Sequence, residues 1–286
     1  MRPARHCEAR GDEAIQKGGT ARLECFASLA MRGTLATFLA LTLTAPAVAE
    51  IPLDERRSGF DLMSPETQAM QRDDTANPGM LWVGEGEALW NRKEGGAQRA
   101  CADCHGDAAQ SMRAVAARYP AFSAELGRPI DLQGQVNLCR ARRQDAPPLR
   151  FESQELLALT TYVAHQSRGL PVAALDDERL VPFREAGRRR FLERQGQLNF
   201  SCANCHEDNW GKKLAGNIIP QAHPTGYPIY RLEWQGMGSL QRRLRNCLTG
   251  VRAEPYAFGA PELIELELYL NWRARGLPIE TPGVRP

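Results

Sequence analysis

The chain has 286 residues, with 36 Lys and Arg against 34 Asp and Glu, for a formal charge of +2. That near balance excludes a globally basic nucleic-acid binder and a highly charged disordered chain. Hydrophobic residues make up 43%, enough for a packed core, and the length suits two domains of ordinary size behind a leader.

Met31-Arg32, an uncharged run from Leu35 to Leu43 and the small residues Ala47-Val48-Ala49 read as a secretory signal over residues 31–49, cleaved before Glu50. The run is too short to span a bilayer, so no membrane span is expected in the mature chain. Residues 1–30 are polar and charged, carry Cys7 and Cys25, and read as an artefact of the start site. Removing residues 1–49 takes away six basic and four acidic residues, which leaves thirty of each sign. Any attraction for an anion must then be local. Export predicts the periplasm, a compartment that permits disulfides.

Residues 50–80 contain Pro52, Pro65 and Pro78 and predict an extended arm with a short helix at Ser64-Pro65-Glu66, packed simply on the domains. Two similar halves come next, 81–176 and 177–286. In the first, a helix carrying Gly86 and Trp90 precedes the box Cys101-Ala102-Asp103-Cys104-His105. In the second, Gly187 and Phe191 precede Cys202-Ala203-Asn204-Cys205-His206, with each Gly fifteen residues before the first box cysteine. Tyr119-Pro120 begins twenty residues before Cys139, and Tyr227-Pro228 begins twenty before Cys247. Leu156, Leu159, Tyr162 and Val163 fall on one helix face, and Leu263, Leu266, Tyr269 and Leu270 repeat the pattern. Each of these helices runs into Arg-Gly-Leu-Pro (168–171 and 275–278), a helix-ending signal. Val172 to Pro182 reads as the linker. The expected architecture is all-α, with two tandem cytochrome c-like domains related by internal duplication. The first and last helix of each are predicted to cross at the glycine and the aromatic residue.

A C-x-x-C-H box is the attachment signature of a c-type haem: two thiols form thioethers and the histidine reaches the iron. Two boxes predict two covalent haems, held by Cys101 and Cys104 with His105, and by Cys202 and Cys205 with His206. Met112 lies too close behind its box to reach the far haem face. His165 is matched by Trp272, and Met237 and His223 have no counterparts in the first half. Cys139 and Cys247 occupy equivalent positions and are assigned as distal thiolate ligands. A Cys139–Cys247 disulfide, two inert buried cysteines, and Met237 or His223 as ligand of the second haem stay open as alternatives. A thiolate on iron stabilises the ferric state and lowers the reduction potential, which suits a site that does more than shuttle electrons.

Cys247 stands among Arg242, Arg243, Arg245 and Arg252. A helical run would put Arg243, at i−4, on the same face as the sulfur. The first half has Arg140, Arg142 and Arg143 near Cys139, but Gln135 at the position of Arg243. Arginine keeps a cysteine ionised and binds oxyanions with a planar fork. Arg243 and Arg252 are the candidate anion contacts, and the combination points to redox chemistry on an anionic sulfur compound.

The two boxes, Arg243-Leu244-Arg245-Asn246-Cys247, Arg252-Ala253-Glu254-Pro255 and the ending from Arg275 to Pro286 resemble the dihaem form of the SoxA family. The resemblance implies an L-cysteine S-thiosulfotransferase. Such an enzyme joins thiosulfate oxidatively to a cysteine of a SoxYZ carrier. A monohaem SoxX partner and a small cytochrome c take the two electrons. It implies Cys247, as thiolate or persulfide, for the catalytic sulfur, Arg243 for substrate contact and Cys139 for the first haem's ligand. The rival readings are a dihaem electron carrier without substrate chemistry and a peroxidase-like enzyme; the second would need an open haem face.

Overall fold

The computed structural model describes residues 51–173 and 175–286; the signal expected at 31–49 lies outside the described residues. The described chain packs as one unit. The arm contains α1 (Pro65–Arg72). The first half runs α2 (Met80–Asn91), α3 (Ala102–His105), α4 (Ala108–Ser111), β1 (Ala121–Ser123), β2 (Arg128–Ile130), α5 (Leu132–Cys139) and α6 (Gln154–His165). The second runs α7 (Val181–Leu192), α8 (Cys202–His206), β3 (Lys213–Leu214), β4 (Asn217–Ile218), β5 (Ile229–Arg231), β6 (Gly236–Gly238), α9 (Leu240–Gly250), α10 (Pro261–Arg273) and β7 (Gly283–Arg285).

Helices form the framework, as the periodicity predicts. The short strands go beyond an all-α expectation. The hairpins β1–β2 and β5–β6 occupy equivalent places just before α5 and α9, and β7 adds in parallel to β5, with Ile229 opposite Gly283. Strands this short leave too few alternating positions to be read from sequence. Side-chain caps start the cysteine helices: Asp131 Oδ1 accepts from Gly134 N at 2.8 Å, and Ser239 Oγ accepts from Arg242 N at 3.1 Å. Pro182, read as linker, lies instead in the first turn of α7, where a missing N–H costs nothing.

In each half the first and last helices cross at the predicted glycine. A Cβ on Gly86 would stand 2.2 Å from the carbonyl oxygen of Ala158, and one on Gly187 2.0 Å from that of Glu265. The aromatic residues meet beside the crossing. Trp90 and Tyr162 rings lie 6.0 Å apart, and Phe191 and Tyr269 lie 5.4 Å apart edge to face.

The two Gly-Leu-Pro segments do more than end helices. Gly169 N donates to Ile279 O at 2.8 Å and Ile279 N to Leu170 O at 2.9 Å; Gly276 N donates to Val172 O and Val172 N to Leu277 O, both at 2.9 Å. These reciprocal bonds knit the halves together about a local pseudo-twofold. Helix α6 also packs on β6 and α10 on β2, each helix reaching the other half's hairpin.

Residues of both halves, Tyr119, Asp131, Tyr227 and Glu267 among others, line a cavity of about 90 Å³. Gln241 Nε2 donates to Asp131 Oδ2 at 3.0 Å. Burial pushes the Asp131 carboxyl up to about 6. Burial, then the nearby Asp131 charge, also holds Glu267 well above the carboxylate range.

The arm binds both halves, beyond simple packing. Asp74 pairs with Arg168 at 2.6 Å. Asn77 Nδ2 donates to Pro282 O at 2.9 Å, and Ser58 Oγ meets Thr225 Oγ1 at 3.1 Å.

Glu267 binds its proton more tightly folded than unfolded, so its contribution to stability is present at low pH and is lost as pH rises above the unfolded value of about 4.5. Glu267→Gln cannot ionise. Its melting temperature should rise relative to wild type as pH increases from 5 to 8, by roughly 2–4 °C for each kcal/mol relieved. A gap that stays constant with pH would show that Glu267 does not carry the raised pKa.

Candidate haem and sulfur site

In the first half, a cavity of about 480 Å³ brings Cys101, Cys104, His105 and Cys139 together. Its walls include Trp90, Leu132, Val136, Leu159 and Val163, with Arg99, Arg118, Arg140 and Arg143 also lining it. This set fits a haem: apolar walls for the porphyrin, thiols for its vinyl carbons, imidazole and thiolate for the iron, and guanidinium groups for the propionates. Trp90 lies against the box, its Nε1 donating to Gly106 O at 3.1 Å and its ring 5.7 Å from that of His105. Arg140 is buried and paired with Glu94. Gln135 Nε2 donates to Cys139 Sγ at 3.3 Å. Met112 also lines the cavity, packed in a cluster with Trp90 and Val163.

The second half assembles the equivalent set. Ser201 caps α8 and presents Cys202, Cys205 and His206. His206 is oriented by a hydrogen bond of 2.6 Å between Nδ1 and Pro220 O. Since a carbonyl only accepts, Nδ1 carries the proton and Nε2 keeps its lone pair for a metal. Burial, and then the Cys247 sulfur, push the Cys202 thiol up to about 12; the same two causes raise Cys205. Cys247 therefore lies near enough to act on both box thiols. In the first half burial is likewise the main cause that raises Cys101, with Cys139 adding to it against the opposing Arg140.

Arg243 and Cys247 share α9 one turn apart, as the i−4 spacing predicts. Burial opposes the Arg243 charge, but the Cys247 sulfur and the Tyr227 phenol outweigh it and raise its pKa. Arg231, on β5, is a second cation in this group: burial, then Arg243, lower its pKa, while Cys247 acts in the other direction. Arg252 is exposed beyond α9 with φ at +59°, its carbonyl accepting from Gln197 N at 3.3 Å. Met237 is buried in β6 opposite Tyr230. His165 Nδ1 lies 3.3 Å from Thr281 O, and His223 Nδ1 lies 2.8 Å from Arg57 O, with burial pushing His223 down to about 4.

Three features of the site escape a linear reading. Tyr119 and Tyr227 stand near Cys139 and Cys247; burial, then Cys139, push Tyr119 up to about 12. The repeated Tyr-Pro pair was the available signal. Arg231 has no such signal, because the hairpin delivers it. The third is the tether of His206. Gln221, fully buried, accepts from Arg57 N at 2.7 Å and donates to Glu55 O at 3.2 Å, so the arm holds the loop whose Pro220 carbonyl orients the histidine.

The family model for the SoxA/TsdA cytochrome c domain matches residues 85–172 and again 186–279. Subunit SoxA of L-cysteine S-thiosulfotransferase from Pseudaminobacter salicylatoxidans is 44% identical over 236 residues, 82% of each chain. The same subunit from Rhodovulum sulfidophilum is 37% identical over 232 residues, 81% of each chain. The crystal structure of SoxXA from P. pantotrophus superposes with a TM-score of 0.78 at 33% identity, covering 81% of this chain and 87% of that one.

Gln221→Leu keeps the volume but removes both bonds to the arm. A loss of about 1–2 kcal/mol is expected, read as a lower melting temperature of the haem-loaded protein. The arm should also become more sensitive to protease near Arg57. Unchanged melting and unchanged cleavage would mean that Gln221 does not tie the arm down.

Proposed function

The chain belongs to the SoxA/TsdA cytochrome c family, and we propose that it is the SoxA-type subunit of a periplasmic L-cysteine S-thiosulfotransferase with two covalent c-type haems. Cys101 and Cys104 would attach the first haem, and His105 and Cys139 would hold its iron. Cys202 and Cys205 would attach the second, and His206 and Cys247 would hold its iron. We place the domain division at 176/177, a reading supported by its position between α6 and α7 and between the two family matches. Among the described residues no helix is long and apolar enough to cross a membrane. A SoxX-type monohaem cytochrome is the proposed partner, a SoxYZ carrier the acceptor of the product, and a small cytochrome c the final electron acceptor.

The observation that carries this reading is Arg243 one turn before Cys247 on α9, with the Cys247 sulfur near enough to act on both thiols of the C-x-x-C-H box. An electron carrier needs a ligand but no half-buried arginine beside it. When bound, the haem supplies one-electron redox chemistry and a Lewis-acid contact for sulfur.

The residues act in sequence. Arg243, with Arg231 behind it, binds the sulfonate oxygens of thiosulfate by charge-assisted hydrogen bonds. Arg252 is the proposed outer contact for the incoming anion. The Cys247 thiolate and the outer sulfur of thiosulfate form an S–S bond as two electrons leave toward the partner cytochrome, which gives Cys–S–S–SO3⁻. The carrier's thiolate attacks the middle sulfur of this group and releases Cys247 as thiolate, a redox-neutral exchange. If Cys247 carries a persulfide, its outer sulfur takes the same part. Pro220 O keeps the His206 proton on Nδ1 throughout.

Cys247→Ser should reduce thiosulfate conjugation to the carrier on the order of 10³-fold or more, as expected on losing a nucleophile. In electron paramagnetic resonance, Cys247→Met should remove one of two low-spin His/thiolate signals. His/Met or bis-His signals indifferent to the substitution would leave a plain dihaem carrier as the better account. Arg243→Gln should raise KM for thiosulfate by roughly 10- to 100-fold, the equivalent of one charged hydrogen bond, while the signals stay unchanged.

A further inference from the structure

Gln135 and Arg243 hold the same place in the two halves, four residues before the distal cysteine on the equivalent helix. In the first half the contact is direct: Gln135 Nε2 donates to Cys139 Sγ at 3.3 Å. Both residues line the 480 Å³ cavity with the box, so this bond is made on the side where the haem fits. In the second half the same turn carries a guanidinium, which has a full charge and a planar set of donors. An amide offers the sulfur a donor but brings no net charge.

A hydrogen bond to a metal-bound thiolate withdraws electron density from sulfur. The sulfur then donates less to iron, the ferric state is stabilised less, and the potential rises. We infer that Gln135 is a positioning residue for the first haem: by donating to the Cys139 sulfur it fixes that side chain toward the iron and raises the potential of this haem above that of an unbonded His/thiolate site. The inference rests on the reading that Cys139 is an axial ligand. It makes the two halves electronically unequal through one pair of matched residues, with a neutral donor at the first sulfur and a cation free to engage an anion at the second.

The test is a spectroscopically followed redox titration of the haem-loaded protein with its co-expressed partner. Gln135→Leu removes the donor and should shift the first haem's midpoint to lower potential, leaving the second haem's midpoint in place. Gln135→Glu keeps the shape, lacks the donor and adds a negative charge, so it should shift the same midpoint further down. Gln135→Arg restores a donor and should return the midpoint to the wild-type value or above it. A first-haem midpoint that stays put in both Gln135→Leu and Gln135→Glu overturns the inference. Electron paramagnetic resonance of wild type and Cys139→Met separates this failure from failure of the underlying reading. A first-haem signal that is not His/thiolate, or that survives Cys139→Met, removes Cys139 from the iron. A His/thiolate signal with immobile midpoints leaves Cys139 in place and removes only the role of Gln135.

Discussion

A carbonyl oxygen of one helix stands where a side chain of the other would begin. At Gly86 and Gly187 an added Cβ would lie at 2.2 and 2.0 Å from the oxygens of Ala158 and Glu265, so the absence of a side chain is what lets α2 reach α6 and α7 reach α10. That approach sets Trp90 and Phe191 against Tyr162 and Tyr269, fixing the wall from which each box emerges. The loop before each box is pinned in a matching way. A Cβ on Gly95 would meet Gln144 O at 2.0 Å, and one on Gly196 would meet Val251 O at 2.1 Å, with φ positive at both. The segment leaving each cysteine helix is thus clamped to the segment entering each box. The Cys139 or Cys247 sulfur and the box histidine of each half are positioned by the same packing.

On this duplicated scaffold the halves diverge where chemistry requires it. Gln135 gives Cys139 a neutral hydrogen bond, whereas Arg243, and Arg231 paired with Glu233 at 3.1 Å, interact with Cys247 as cations. The proximal sides differ too. His206 is half-buried and bound to Pro220 O, while His105 is exposed beside Trp90. The extra order in the second half comes from the arm, through Gln221 and His223.

The halves do not behave as beads on a linker. Reciprocal backbone bonds join the two Gly-Leu-Pro segments, and the bond from buried Gln241 to buried Asp131 satisfies polar groups across the halves. The cost of that seam is visible in the raised carboxyls of Asp131 and Glu267.

Much of the site is legible in the linear chain. The boxes, the equivalent cysteines, the glycine-aromatic helices and the i−4 arginine are local or periodic signals, and a duplicated chain prints each of them twice. Such patterns encode which atoms a helix places on one face, because helical geometry fixes that within a turn or two. Long-range contacts are a different matter. The pairing of residues 169–172 with 276–279, the arm's hold on the loop that carries Pro220, the hairpin that delivers Arg231 and the meeting of Asp131 with Glu267 join residues far apart in the chain. Their partners depend on how the two halves are turned against each other, and no local spacing records that. The sequence by itself determined the chemistry each half can carry, through residue type and helical phase. Only the tertiary structure decided what surrounds that chemistry, because burial and electrostatic environment are properties of the packed whole.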